Sequence, residues 1–282
     1  GAIVHLPVRI TESSMSHTTS QNSQKAQWTP LRRVLVALGA LIIAATWLYF
    51  VLVRPADWDQ VTGSGPGITL LAGYGVGTLL LLVAIVPVLP ARTLGLIPIA
   101  IIINSVIGEI VGSIGLPLYL DSVGTVLVAA LAGPVAGMAT GALNNVVWGL
   151  VNPAALPFAA GAALVGWLAG VFIHRFNAFR NPGTVVGFGL VLGVVGGMVA
   201  APVAAYVYGG TAGVGTGALV SLFREMGGSL IASVTTQAFI SDPVDKLIVL
   251  FIAYATVKAL PKRTVAAFAP QEPVAPASTP EA

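Results

Sequence analysis

The residues best able to do chemistry are concentrated in Leu116–Asn152 (LPLYLDSVGTVLVAALAGPVAGMATGALNNVVWGLVN). Asp121, Ser122, Thr125, Asn144, Asn145, Trp148 and Asn152 interrupt a run that is otherwise apolar. Polar groups at bilayer depth are costly, so they mark a site or a path by default. Asn144, Asn145 and Trp148 fall about one helical turn apart and face similar directions. Asn amides offer donor and acceptor edges and an indole offers a stacking face, a set that suits a planar, hydrogen-bonding ring. The same residues also fit plainer roles, interhelical hydrogen bonds for the amides and an interfacial belt for the tryptophan. Asp121 and Ser122 fit an N-cap of the helix that follows as well as a ligand contact. Asp242 and Pro243 read alike: Asp as N-cap, Pro in the first turn, Asp245 and Lys246 in that turn. Glu109 is either an intramembrane carboxylate or an interfacial one near a helix end. Arg224 and Glu225 are a solvated pair or the charged contacts of a lid. The candidate substrate-binding set is therefore Asn144, Asn145, Trp148, Asp121, Asn152, Arg224 and Glu225, with Glu109 and Gln237 in reserve.

Several chemistries are excluded by what the chain lacks. Cysteine is absent, so there is no disulfide framework, thiolate metal site or thiol nucleophile. The three histidines, His5, His17 and His174, have no metal-ligand spacing. Asn152-Pro153-Ala154 matches the box of aquaporin-like channels, which use two such boxes where this chain has one. The glycine run from 209 to 217 lacks the Gly-Lys-Ser/Thr ending of a phosphate loop. No Ser/His/Asp, HExxH or paired-carboxylate pattern supports an enzyme. Neither a cofactor nor a metal is expected, and any ATP-driven work needs an ATPase on another subunit.

These residues must be positioned by membrane helices. The 282 residues are 56% hydrophobic and only 8% charged, with a mean hydropathy of +0.92; a soluble domain carries about a quarter charged residues. Residues 1–14 read as an upstream extension, with Met15 as a candidate start, and 1–30 as a disordered cytoplasmic tail without a signal-peptide apolar region. Apolar runs follow at 34–53, 68–89, 94–114, 122–138, 141–151, 157–173 and 185–208, against the roughly 17–25 residues that a span needs. The two short runs between 122 and 151 allow a broken hairpin. A last helix is expected over 247–260, and 264–282 reads as a disordered tail. Small residues four apart, such as Gly108/Gly112, Ala129/Gly133, Gly137/Gly141, Gly166/Gly170 and Gly193/Gly197, allow close helix contacts.

Charge placement sets the orientation. Arg32, Arg33, Arg92, His174, Arg175, Arg180, Lys258, Lys262 and Arg263 belong on the cytoplasmic side by the positive-inside rule. That is satisfied when 213–238 stays outside as a re-entrant or surface helix, giving eight spans with both termini cytoplasmic. Three outward segments, 115–121, 151–154 and 209–245, then converge as lid and floor over a cavity.

The run from Ile97 to Leu150, centred on PLYLDSVGTVLVAALAGPVAGMATGALNNVVWGL, resembles the substrate-binding S components of energy-coupling factor (ECF) transporters. DPVDKLIVLFIAYATVKALPKR (Asp242–Arg263) resembles the last helix of the same group. The resemblance covers roughly 94–263. It implies an all-α, six-helix membrane bundle over 93–263, closed at its outer face by the loops after helices one, three and five. Residues 31–92 form two transmembrane helices beyond the family's usual core, an accessory hairpin. The resemblance further implies uptake of a vitamin-like or other small organic nutrient, with a membrane coupling subunit and two cytoplasmic ATPases as partners in a bacterial plasma membrane, and no nucleic acid. No diagnostic small-residue docking motif aligns onto the first core helix. Two other readings stand beside it: a membrane sensor working with a separate histidine kinase, and an ion-coupled secondary transporter using Glu109, although no inverted repeat is evident.

Overall fold

A computed structural model describes residues 28–54, 63–208, 210 and 214–271. Among them there are helices and no strands: α1 (Pro30–Val53), α2 (Gly65–Ile85), α3 (Ala91–Ser113), α4 (Val123–Ala132), α5 (Pro134–Gly149), α6 (Ala159–Arg175), α7 (Pro182–Tyr208), α8 (Val214–Glu225), α9 (Leu230–Ala259) and α10 (Lys262–Ala266). Short 3-10 turns cover Val86–Val88, Pro153–Phe158 and Ala178–Arg180. Five stretches are long and apolar enough to cross a membrane: Pro30–Val53, Gly65–Val88, Ala91–Ser113, Pro153–Arg175 and Pro182–Tyr206. The chain is a multi-pass, all-helical membrane protein.

Helix ends follow local chemistry. Thr29 caps α1, its hydroxyl accepting from Arg32 N, with Pro30 in the first turn; Ser64 caps α2 in the same way through Gly67 N. Bare glycine faces then bring α1 and α2 together antiparallel: a Cβ on Gly39 would lie 2.8 Å from Gly77 O. Tyr74 on α2 donates to Pro157 O, and α2 packs on α5, which fixes the hairpin to the rest. α1 meets α6 and α7 only lightly, although Trp47 Nε1 donates to Val199 O. The gap is an apolar groove of about 610 Å³ lined by Trp28, Trp47 and Trp167 among others.

α7 against α9 and α5 against α6 are the most extensive packings. Gly137 and Gly141 abut the α6 backbone at Gly166 and Ala162, and Gly193 abuts Asp242 and Pro243 of α9. These small-residue pairs are internal contacts. Antiparallel neighbours place the starts of α1, α3 and α7 and the ends of α6 and α9 at one end of the molecule, with Arg32, Arg33, Arg92, Arg175, Arg180, Lys258, Lys262 and Arg263. We call this the basic end and the opposite one the far end.

Three expectations are corrected here. The run 122–138 is not one span: Gly133, at φ 94°, turns the chain between α4 and α5, and Pro134 starts the new helix. A Gly-Pro pair can do this because glycine takes positive φ freely and proline suits a first turn. The last helix does not begin at 247. α9 starts at Leu230, capped by Ser229 Oγ accepting from Ala232 N, and runs 30 residues. Asp242 is therefore no N-cap, and Pro243 is inside the helix. Finally, 264–271 is not a loose tail. Thr93 Oγ1 donates to Phe268 O and Gln271 N donates to Val88 O, strapping the chain across the corner between α2 and α3 beside Arg92 and Arg263. The rest of that tail and residues 1–27 lie outside the described residues.

Candidate functional site

The site begins with a stretch of backbone that is neither helix nor strand. After α3 ends, 114–122 turns back along α3 before α4 starts. A Cβ on Gly108 would lie 3.0 Å from Asp121 Cβ, and Gly124 sits against Ala100, so the coil descends to the level of α3's middle turns. Irregular backbone at that depth is tolerated only when protein satisfies its polar groups or when it lines a cavity. Here Asp245 does the work of a capping group. Its Oδ1 accepts from Tyr119 N at 2.8 Å and from Leu120 N at 2.7 Å. Leu120 is held at φ 50°, a left-handed conformation that non-glycine residues seldom adopt.

Asp245 belongs to a buried ionic group on α9. Lys246 Nζ donates to Asp245 Oδ2 at 2.5 Å and lies 3.6 Å from Asp121 Oδ1. Asp242, one turn before Lys246, is buried against the bare face of Gly197, whose added Cβ would stand 2.7 Å from Asp242 Oδ2. Among the described residues Asp242 has no hydrogen bond or ion pair at bonding distance. Gly193 and Gly197 fall near the middle of the 27-residue α7, so the group lies near mid-depth. Asp242, Asp245 and Lys246 are all buried, whereas 38% of the Asp121 side chain is accessible. Asp121 is thus the open edge of the cluster.

Polar side chains without partners surround it. Gln237, Ser241 and Asp245 form one i, i+4 row on α9, the row that meets the coil. The Tyr119 hydroxyl faces Thr216 of α8 and Gln237. Gln237 Nε2, Ser241 Oγ and Ser122 Oγ are buried with no well-formed hydrogen bond among the described residues. Such orphans are uncommon in native structures and each needs an explanation. α8 covers the coil from the far end, with Gly215 against the backbone of Gly115 and Leu116.

The other predicted residues divide. Trp148 stands beside this cluster, its Cη2 3.2 Å from the Cβ position of Gly108, next to Asp121. Asn144 and Asn145 belong to a separate, fully connected network. Asn104 Nδ2 donates to Thr125 Oγ1 at 2.8 Å and to Asn144 Oδ1 at 3.4 Å. Asn144 Nδ2 donates to Asn145 Oδ1, and Asn145 Nδ2 donates to Ala155 O at 2.8 Å. Asn104 Oδ1 accepts from Gly124 N at 2.7 Å, so α3 supplies the cap of α4. The expectation that Asp121 or Ser122 caps that helix is corrected: Ser122 holds the position without a side-chain cap bond, and Asp121 turns to Lys246.

Asn152 Oδ1 accepts from Ala154 N and starts the 3-10 turn at the far end of α5. Arg224 and Glu225 are exposed at the end of α8. Glu109 is exposed on α3 in a row with Ile102, Val106 and Ile110, outside the cluster. Of the named candidates, Asp121, Gln237 and Trp148 come together; Asp242, Asp245, Lys246 and Tyr119 join them without having been named as ligands. The signal for α9 was present, since Asp242, Asp245 and Lys246 share one turn in an apolar stretch, but the adjacent proline made that turn read as a helix start. With this geometry in view, no protein-family model, no curated protein and no solved structure matches the chain.

Proposed function

We propose that the protein is a membrane-embedded receptor subunit that binds a small organic nutrient and delivers it to an ATP-driven importer of the ECF type. The observation that carries this reading is the mid-depth ionic cluster at an unwound segment, edged by accessible Asp121 and surrounded by unpartnered buried donors. Broken or irregular backbone beside buried polar groups is how membrane transport proteins build solute sites near the midplane. The basic end faces the cytoplasm by the positive-inside rule, and the coil enters from the outer end, beneath α8. In this reading the chain crosses eight times, with α4 and its coil as one crossing and α8 as an outer cover. The six crossings from α3 onward form the solute-binding bundle, α1 and α2 form the accessory hairpin, and the energy comes from separate ATPase subunits through a coupling membrane protein.

The test is native mass spectrometry of the protein purified in mild detergent, followed by co-purification and liposome uptake. A stoichiometric solute on the protein alone, with uptake only when ATPase subunits are present, is the expected result. Uptake by the protein alone down an ion gradient overturns the ECF assignment. One observation favours that second reading, an ion-coupled carrier: three carboxylates share one lysine at mid-depth, and buried acids serve as coupling groups in such carriers. Asp121 or Asp242, rather than exposed Glu109, would then be the coupling group.

A further inference from the structure

We infer that the solute bound at this cluster carries a positively charged nitrogen; the inference rests on the receptor reading above and narrows it to organic cations. The argument is a balance of charge. Buried charges persist in proteins when they are paired and hydrogen-bonded. Asp245 meets that condition twice over, through Lys246 and through the N–H groups of Tyr119 and Leu120. Lys246 is held closest to Asp245, and its ion pair with Asp121 is a looser 3.6 Å. Among the described residues Asp242 has no partner at bonding distance. Three carboxylates thus share one ammonium, and Asp121 and Asp242 are the two left without a close partner among the described residues.

Independent features point to an occupant rather than to excess acidity alone. Gln237 is 97% buried, counting its 3% exposure; its side chain lies against the Tyr119 hydroxyl, and its Nε2 makes no well-formed hydrogen bond among the described residues. Ser241 Oγ, one residue from Asp242, is equally unpartnered. Among the described residues the chain gives these groups no well-formed hydrogen bond. Next to accessible Asp121 stands the ring of Trp148. A carboxylate with an aromatic ring beside it is a pairing that can recognise ammonium-type ligands, since the ring's quadrupole and the anion attract the same charge. The geometry therefore assigns Asp121 and Trp148 to the entering cation, Asp242 to charge compensation, and Gln237 to an acceptor atom on the same solute.

Two measurements decide the point. The first needs no ligand. Removing an uncompensated buried carboxylate relieves the empty protein, so Asp242→Asn raises the Tm of the solute-free protein by a few degrees. An unchanged or lower Tm overturns the inference, because it means that Asp242 is already neutral or already paired. The second offers the wild-type protein an equimolar mixture of phenethylamine, 2-phenylethanol and phenylacetate, three probes of like size and different charge, read by native mass spectrometry. Selective retention of the amine, reduced at least about tenfold in both Asp242→Asn and Asp121→Asn, is the expected result. Retention of the alcohol or the acid in its place overturns the inference. A neutral or anionic compound found bound to the purified protein also overturns it while leaving the receptor reading intact; transport without ATPases overturns the receptor reading and leaves the charge argument intact.

Discussion

Two polar groups lie inside the same apolar bundle, and they differ in how their hydrogen bonds close. The network of Asn104, Thr125, Asn144 and Asn145 runs from α3 through α4 and α5 to the Ala155 carbonyl with a partner at each step. The cluster of Asp121, Asp242, Asp245 and Lys246 leaves Gln237 Nε2 and the hydroxyls of Ser122 and Ser241 unpaired. A closed network fixes the register of helices. An open one leaves polar groups free to pair with something outside the chain, a solute, an ion or water. Residue type does not separate the two cases, since both are polar groups at depth; satisfaction does.

The largest test of this contrast is Lys246→Met. It leaves three carboxylates, two of them buried, with no cation, and breaking a buried pair in this way costs roughly 3–5 kcal/mol. Little folded protein is expected by size-exclusion chromatography in detergent. A well-folded Lys246→Met protein would show that the carboxylates are not charged in the empty state. Asp245→Ala follows, because it strips the acceptor from Tyr119 N and Leu120 N at depth, where each unsatisfied backbone group costs several kcal/mol. The coil should loosen, with faster proteolysis between 114 and 122. Asn104→Leu removes the cap of α4 and two side-chain donors, worth about 2–3 kcal/mol together, and should lower Tm without changing solute retention by native mass spectrometry. Asn144→Ala should act likewise at about 1–2 kcal/mol, whereas Trp148→Ala should weaken retention and leave Tm nearly unchanged. If Asn144→Ala abolishes retention and Trp148→Ala does not, the two regions have been assigned the wrong way round. Smallest of all, Arg224→Ala and Glu225→Ala, exposed at the end of α8, should stay within about 0.5 kcal/mol and leave retention unchanged.

Much of the architecture could be read from residue order. Long apolar runs with few charges named the helices of the hairpin, α3, α6 and α7 to within a few residues. Segregation of arginine and lysine anticipated one basic end. The Gly133–Pro134 turn was also written in the chain, but apolar continuity on both sides hid it, and 122–138 reads as one helix unless glycine followed by proline is given more weight than hydropathy. Asp242–Pro243 is harder. The pair looks the same at a helix start and inside a helix, and the deciding fact lies elsewhere: Gly193 and Gly197 open a face on α7 wide enough for the carboxylate. The depth of 114–122 was invisible for a related reason. Gly115 and Pro117 announce a turn, but only Asp245, over a hundred residues away, explains how that backbone can lie among helices rather than at the surface.

The short α4 has a consequence for passage. With 10 residues it spans about 15 Å, half the thickness of a hydrocarbon core of about 30 Å. On the receptor reading, α4 therefore offers only about half a membrane's thickness between the cluster and the basic end, and it is tethered at its start by Asn104 and near its finish by His174, whose Nε2 is 3.0 Å from Ala129 O. A tilt or slide of this element by a few ångströms changes what separates the cluster from the opposite aqueous phase. In the receptor reading proposed above, the insulating distance is halved before anything moves, and the two tethers would hold the remaining half shut.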